Sequence, residues 1–362
     1  MCVHGRGVIL IDPTVRANGP WLDATHATSL QRIANRPIIC HVLDALVAAQ
    51  VVEIAVLTPS GLIHDIAACI DSDGPEQAEV RYLVHDDLQD DPTDALRAVA
   101  EFAGEARVIV HRSEGLLGQS LGPLLEIVRD GAADILALLA QGAQNAEPLG
   151  PATQRMLHVS ELDPDNAALG MAGVCMLGPG VLDRLLSADV AMAPSARKLE
   201  PALLVDSLIA CESGHFQSRV VSEWRAFAGE PLDLLDMNRA ALDVLEHQVS
   251  ASQRGGNRFE GRVFIDPTAS VTGSVVCGPV IIGAEANIVD SYIGPHTSIG
   301  ERVHVEGAEI ERSIIFAGAS ILHVGGRLVA SVVGREVRIF RDFSVPRAMR
   351  LQVGDGDEVA LC

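Results

Sequence analysis

The apolar run ARVIVH ends in His111-Arg112-Ser113-Glu114, which brings an imidazole, a guanidinium, a hydroxyl and a carboxylate together at a strand terminus. His111 and Arg112 would suit an anionic ligand, although a strand-end histidine beside a solvated arginine is the commoner arrangement. A second cluster, Asp86, Asp87, Asp90 and Asp91, reads as a solvated acidic loop, with Asp90 or Asp91 capping the helix that starts near Pro92. Trp224 has a ring able to stack on a base or sugar, against the ordinary role of core or domain-contact packing. His296, His304 and His323 bring three candidate general bases into the last third of the chain. Lys198 is the only lysine, so any site needing two ammonium groups is excluded.

These groups must be positioned by elements that the apolar pattern reveals. GVILID at 7–12 and VVEIAVLT at 51–58 read as strands, and the stretch at 38–50 between them has helical apolar spacing. The alternation continues with LIHDIAACI as helix, AEVRYLVH as strand, PTDALRAVAEFAG as helix, ARVIVH as strand, LGPLLEIVRDG as helix and ADILALLA as strand. Such a βαβ series implies a mainly parallel sheet covered on both faces, with ligands at the carboxyl ends of its strands. Residues 140–170 are irregular, MAGVCML at 171–177 resumes a strand, and a helix closes the segment before the polar linker SASQRGGNR. The organisation expected is an α/β domain over 1–249, a linker over 250–258 and a second domain over 259–362.

That second domain has its own period. Ile265, Val271 and Cys277 form one six-residue series, Ile293, Ile299 and Val305 another, and Val333, Ile339 and Val345 a third. A period of six predicts a left-handed parallel β-helix, a triangular coil of short strands with one inward residue per face.

Composition sets the outer limits. A formal charge of −21 disfavours nucleic acid and anionic membrane as partners. Seven cysteines without a C-x-x-C pair read as buried, reduced thiols. With no secretory n-region and no apolar run long enough to span a bilayer, the expected location is cytoplasmic.

ANRPII at 34–39, LDLLDMNRAAL at 232–242 and the ending VPRAMRLQVGDGDEVAL resemble segments of the sugar-1-phosphate nucleotidyltransferases, in particular the long form of the glucose-1-phosphate thymidylyltransferases. The resemblance implies a Rossmann-like domain and a reaction of nucleoside triphosphate with sugar 1-phosphate, releasing pyrophosphate. It implies a glycine-rich cradle, two lysines and two aspartates that hold Mg²⁺.

Position by position, those groups are missing. The cradle is replaced by a loop in which Pro13 lacks an N–H donor, Asp12 adds negative charge, and the expected arginine falls on Asn18. One family lysine falls on Thr28, and the other has no counterpart between Gln154 and Gly170. The first metal aspartate falls on Ser113 and the second at or near Phe227. The base-binding segment is replaced by the acidic run through Asp91, and Gly173 completes the degenerate pocket.

Three readings follow. The first is an inactive nucleotidyltransferase-like protein acting as a regulatory or scaffold subunit or as a binder of a sugar phosphate or nucleotide, with no cofactor, in a homo-oligomer or a hetero-oligomer. The second is an active thymidylyltransferase or related enzyme in which Arg16, Glu114 and Arg225 are displaced substitutes and Mg²⁺ is required; a single carboxylate would hold that ion weakly. The third is a β-helix acyltransferase using one of the three histidines, which otherwise read as outward-facing corner residues.

Overall fold

The computed structural model describes residues 5–11, 27–86, 92–129, 131, 133–141, 145–157, 169–187, 200–221, 223–249 and 255–341. Among them the α/β series takes the form expected. Strands β1 (Arg6–Leu10), β2 (Glu53–Thr58), β3 (Glu79–Val84), β4 (Val108–Arg112), β6 (Ile135–Gln141), β7 (Leu169–Leu177) and β8 (Phe216–Val221) form one sheet in the order β8-β6-β7-β4-β1-β2-β3. All neighbours are parallel except at β7, which runs antiparallel to both β4 and β6. A small antiparallel pair stands beside it, β5 (Gly115–Leu117) with β9 (Trp224–Ala226).

Helices cover both faces: α1 (Ile38–Ala48), α2 (Ile63–Asp73), α3 (Pro92–Ala103), α4 (Gly122–Arg129), α5 (Pro151–Met156), α6 (Val181–Ser187), α7 (Pro201–Ala210) and α8 (Pro231–Asp243). Strand alternation divides β1 between two cores. Val8 and Leu10 pack with α3 and α7, whereas Ile9 joins the opposite core with α1 and α4. Helix α1 meets that core through Ile39, Val42, Leu43 and Leu46, an apolar stripe at helical spacing. Fully burying each such side chain stabilises the fold by about 1.5–3 kcal/mol. Within the irregular stretch that follows β6, α5 is an added element, with Pro151 at its first turn.

Beyond residue 255 the strands have two or three residues each and form three five-stranded parallel sheets, each taking every third strand in sequence. That order is a three-sided stack. In the first rungs partners repeat at seventeen residues, Val263 with Val280 and Val280 with Thr297, one fewer than three hexads require; further along they lie sixteen apart, as His304 with Ser320, and then eighteen, as Ile314 with Val332. The consequence is local. Ile265 and Val271 point inward, but the third member of that series is Val276 rather than Cys277, whose side chain is only half-buried. Ile293, Ile299 and Val305 are all fully buried. Val333 is buried, Ile339 packs against the same core, and Val345 lies outside the described residues.

Corners of the stack use residues in the left-handed region, His296 (φ 57°) and His323 (φ 50°) among them. Inward serines bind the next turn: the Ser274 hydroxyl accepts from the Ser291 amide at 3.0 Å, and the Ser291 hydroxyl accepts from the Ala308 amide at 3.2 Å. Gln248, just after α8, already pairs with the first rung, since its amide donates to the Val263 carbonyl at 2.8 Å. Among the described residues no helix is long and apolar enough to cross a membrane.

Candidate functional site

Strand β4 delivers His111 and Arg112 to the carboxyl end of the sheet, and the turn into β5 places Ser113 and Glu114 beside them. The four side chains do not open to solvent. Glu114 is completely buried and Arg112 is 16% exposed at its side chain. The Arg112 guanidinium donates through Nε and Nη2 to Oε1 of Glu114, and through Nη1 to Oε1 of Glu147 at 3.1 Å. Ser113 Oγ donates to Oε2 of Glu114 at 2.9 Å, and the backbone of Glu114 accepts from the Phe227 amide at 2.9 Å.

Glu147 comes from the irregular stretch. Its backbone bridges Met171 in both directions, and its Oε2 accepts from the Ala202 amide at 2.8 Å at the start of α7. Burial pushes its carboxyl up to about 7 against the opposing pull of Arg112. His111 is buried as well. Burial holds it down at about 4, only partly offset by the 2.6 Å contact of Nδ1 with the Arg112 carbonyl, so its ring is neutral at pH 7.

Trp224 closes this arrangement. Its ring centroid lies 5.9 Å from that of His111, and its Nε1 donates to the Asn145 carbonyl at 3.4 Å. Two glycines admit the indole: a Cβ on Gly115 would lie 2.0 Å from Trp224 Cη2, and one on Gly173 would lie 2.8 Å from Cζ2 and 2.7 Å from Arg112 Cδ. Gly173 is thus a packing position against Arg112 and Trp224. The tryptophan is buried, in keeping with core packing rather than ligand stacking.

The remaining candidates are dispersed. Thr28 is buried in a one-turn helix before α1. Arg225 projects from β9 and pairs with Glu223 at 2.8 Å. Phe227 is buried in a separate apolar cluster with Ile33, Ile38, Leu234, Met237, Ile314 and Phe316, which joins the α/β domain to the stack. Asp12, Pro13, Arg16, Asn18 and Asp91 lie outside the described residues, as does Lys198. Among the described residues no group of three or more His, Cys, Asp or Glu is placed to hold a metal ion.

The joint carries more polar structure than its sequence announces. Asn238 on α8 is fully buried, and its Oδ1 accepts from the Ala34 amide at 2.8 Å and from the Ser298 hydroxyl at 2.6 Å. Asn35 Nδ2 donates to the Ile299 carbonyl at 2.7 Å from a two-residue turn, Ala34-Asn35, whose φ of 45° and 62° join the antiparallel pair Arg32–Ile33 and Arg36–Pro37. His296 contacts Asp243 through Nε2 at 3.0 Å. Beside these bonds lies a cleft of about 310 Å³ between Arg32, Asn35 and Asp73 on one side and the stack on the other. Glu147 and Asn238 carried no recognisable signal in the sequence. Each is a single polar residue in an unremarkable context whose partners lie more than thirty positions away.

Similarity to known proteins extends along nearly the whole chain. The glucose-1-phosphate thymidylyltransferase of Streptomyces antibioticus is 26% identical over 354 residues, covering 93% of this chain and 94% of the relative. That of Streptomyces griseus is 29% identical over 349 residues, covering 91% and 92%. The low-salt glycan biosynthesis nucleotidyltransferase Agl11 of Haloferax volcanii is 27% identical over an alignment of 372 positions, covering 98% and 100%. These near-full-length relatives are sugar-1-phosphate nucleotidyltransferases by name. No family model matches it. A Bacillus anthracis protein provisionally named a glucose-1-phosphate thymidylyltransferase, crystallised with sucrose, superposes with a TM-score of 0.52 at 18% identity, covering 67% of this chain and 97% of that one. This last likeness concerns the fold alone. In this chain the carboxyl end of β4 is filled by the protein's own Arg112 and Trp224.

Proposed function

We propose that this nucleotidyltransferase is a non-catalytic member of its family, a regulatory or scaffolding subunit of sugar-nucleotide-linked metabolism whose C-terminal stack is a left-handed β-helix used for assembly with like or unlike chains. The observation that supports this most directly is the state of Glu114. It stands next to Ser113, where the resemblance places a metal-binding aspartate, yet it is buried and held by Arg112 and the Ser113 hydroxyl. Mg²⁺ demands near-octahedral oxygen ligands and keeps several waters, which a sealed, arginine-neutralised carboxylate does not provide. Releasing Glu114 to a metal would strand the Arg112 guanidinium in a poorly solvated site, at a cost of about 3–5 kcal/mol. The described donor set therefore does not fit Mg²⁺.

An assay of pyrophosphate release with each nucleoside triphosphate, Mg²⁺ and several sugar 1-phosphates tests the reading. No turnover is expected, and a rate of about 1 s⁻¹ or more would overturn it.

Near-full-length similarity to proteins named as thymidylyltransferases favours a second reading, in which the chain is active and Arg16, Glu114 and Arg225 replace lost groups. On that reading Glu114→Gln and Arg225→Ala each abolish pyrophosphate release. Unchanged rates in either variant would remove that residue from the mechanism.

A further inference from the structure

The cleft between the α/β domain and the C-terminal stack encloses about 310 Å³, and the carboxylates on its walls are only half used. Asp73, the last residue of α2, accepts from Arg32 Nη2 at 2.7 Å through Oδ2. Asp266, at a corner of the stack, accepts the amide and the hydroxyl of Thr268 through Oδ1, at 2.9 and 2.6 Å. Glu301, two rungs further along, pairs with Arg302 through Oε1 at 2.9 Å. Asp73 Oδ1, Asp266 Oδ2 and Glu301 Oε2 therefore take no hydrogen bond from the described residues. Arg335 lines the same space, is exposed, and has no ion pair among the described residues.

The floor is apolar. Phe264 and Ile281 are the middle residues of their strands, so they point away from the interior of the stack while Val263, Ile265, Val280 and Ile282 fill it. Gly283 keeps the two walls close, since a Cβ there would lie 3.2 Å from Asn35 Nδ2 and 2.9 Å from the Glu301 amide nitrogen.

We infer that this cleft is a binding site for a neutral hexose. Three carboxylates against one unpaired arginine disfavour a phosphate or another anion. Among the described residues no group of three such ligands is placed to hold a metal ion, so the acceptors suit a molecule that brings several separate donors. A pyranose does so. Its hydroxyls donate to the free carboxylate oxygens, one of its oxygens accepts from Arg335, and its C–H face covers Phe264. The volume stands at the lower end of small-molecule pockets, about 300 Å³, which suits one sugar ring. An occupant would touch both α2 and the stack and so tie the two units together. The inference does not rest on the chain being inactive, because none of these groups belongs to the end of β4, and a pyrophosphate assay and a binding assay fail separately.

The test titrates the full-length protein with D-glucose, D-galactose and D-mannose, read by saturation-transfer NMR. At least one is expected to saturate with a Kd of about 1–10 mM, ordinary for a ligand of about a dozen heavy atoms. Asp266→Asn keeps the Oδ1 acceptor for Thr268 and should weaken that hexose about tenfold. Glu301→Gln should do the same, and it serves alone if Asp266→Asn fails to fold. Arg225→Ala should leave the affinity unchanged, which separates this cleft from the pocket that the family resemblance implies. Absence of saturation by all three sugars up to about 100 mM, full affinity in both carboxamide variants, loss of binding in Arg225→Ala, or displacement of the hexose by equimolar inorganic phosphate would overturn the proposal.

Discussion

The side-chain oxygen of Asn238 accepts the Ser298 hydroxyl at 2.6 Å, sixty positions along the chain, inside a fully buried joint between α8 and the C-terminal stack. The same oxygen accepts the Ala34 amide. Asn238→Ala leaves an amide and a hydroxyl without their acceptor in a site water does not reach, and each such group costs about 1–3 kcal/mol. The expected result is a clearly lower denaturant midpoint. Asn238→Asp keeps the acceptor but sets a carboxylate oxygen against the His296 carbonyl, to which the Asn238 Nδ2 donates at 3.3 Å, so it should also lower the midpoint.

Glu114→Ala should destabilise the protein by about 3 kcal/mol or more, since Arg112 loses its shorter-range partner while remaining mostly buried. Equilibrium urea unfolding measures this directly. A midpoint equal to that of the unmutated protein would mean that Arg112 reaches solvent easily and that the site is not sealed.

Gly173→Ala probes the packing of the same region. The added methyl would stand 2.7 Å from Arg112 Cδ and 2.8 Å from Trp224 Cζ2, and such overpacking costs about 1–3 kcal/mol. A lowered Tm with an altered tryptophan emission maximum is expected.

Stability should carry two opposing pH slopes. Burial holds Glu147 at about 7 against an ordinary 4.5, so between those values the folded protein retains a proton that the unfolded chain has released, and stability falls as pH rises. His111 stands at about 4 against an ordinary 6.5. In that window the unfolded chain holds the extra proton, and stability rises with pH. Arg112 faces both groups, and Glu200 adds to the upward push on Glu147. Glu147→Gln should therefore leave the rising slope, and His111→Phe the falling one, in denaturation series from pH 4.5 to 6.5.

Periodicity carried most of the architecture. The stripe of α1 and the alternation within β1 follow directly from spacing, because each element has one or two buried faces and its apolar residues must fall on them. The stack was legible for the same reason, but its rung length was not. Rungs of sixteen to eighteen residues can all be written with locally six-spaced residues, so the displacement of Cys277 by Val276 becomes visible only when rungs are laid on one another. The site was legible in part. His111, Arg112, Ser113 and Glu114 are contiguous, so one strand end announces them together. What the sequence concealed was their closure. Glu147, Trp224 and the Ala202 amide converge from separate segments, and no local pattern records that the charges of Arg112 and Glu114 are spent on each other.

The repeat of the stack also limits how its length can change. Each rung raises the column by about 4.8 Å, the ordinary spacing between paired strands. An insertion of one whole rung lengthens it and leaves every later residue on its own side. An insertion of about a third of a rung instead turns the remaining column by one side, moving whatever surface lies beyond it to a different azimuth. Length and direction are therefore separate variables in this element, and any partner that reads its far end is presented by the number of sides that precede it rather than by a fixed residue count, since partners lie seventeen, sixteen and eighteen residues apart along the stack.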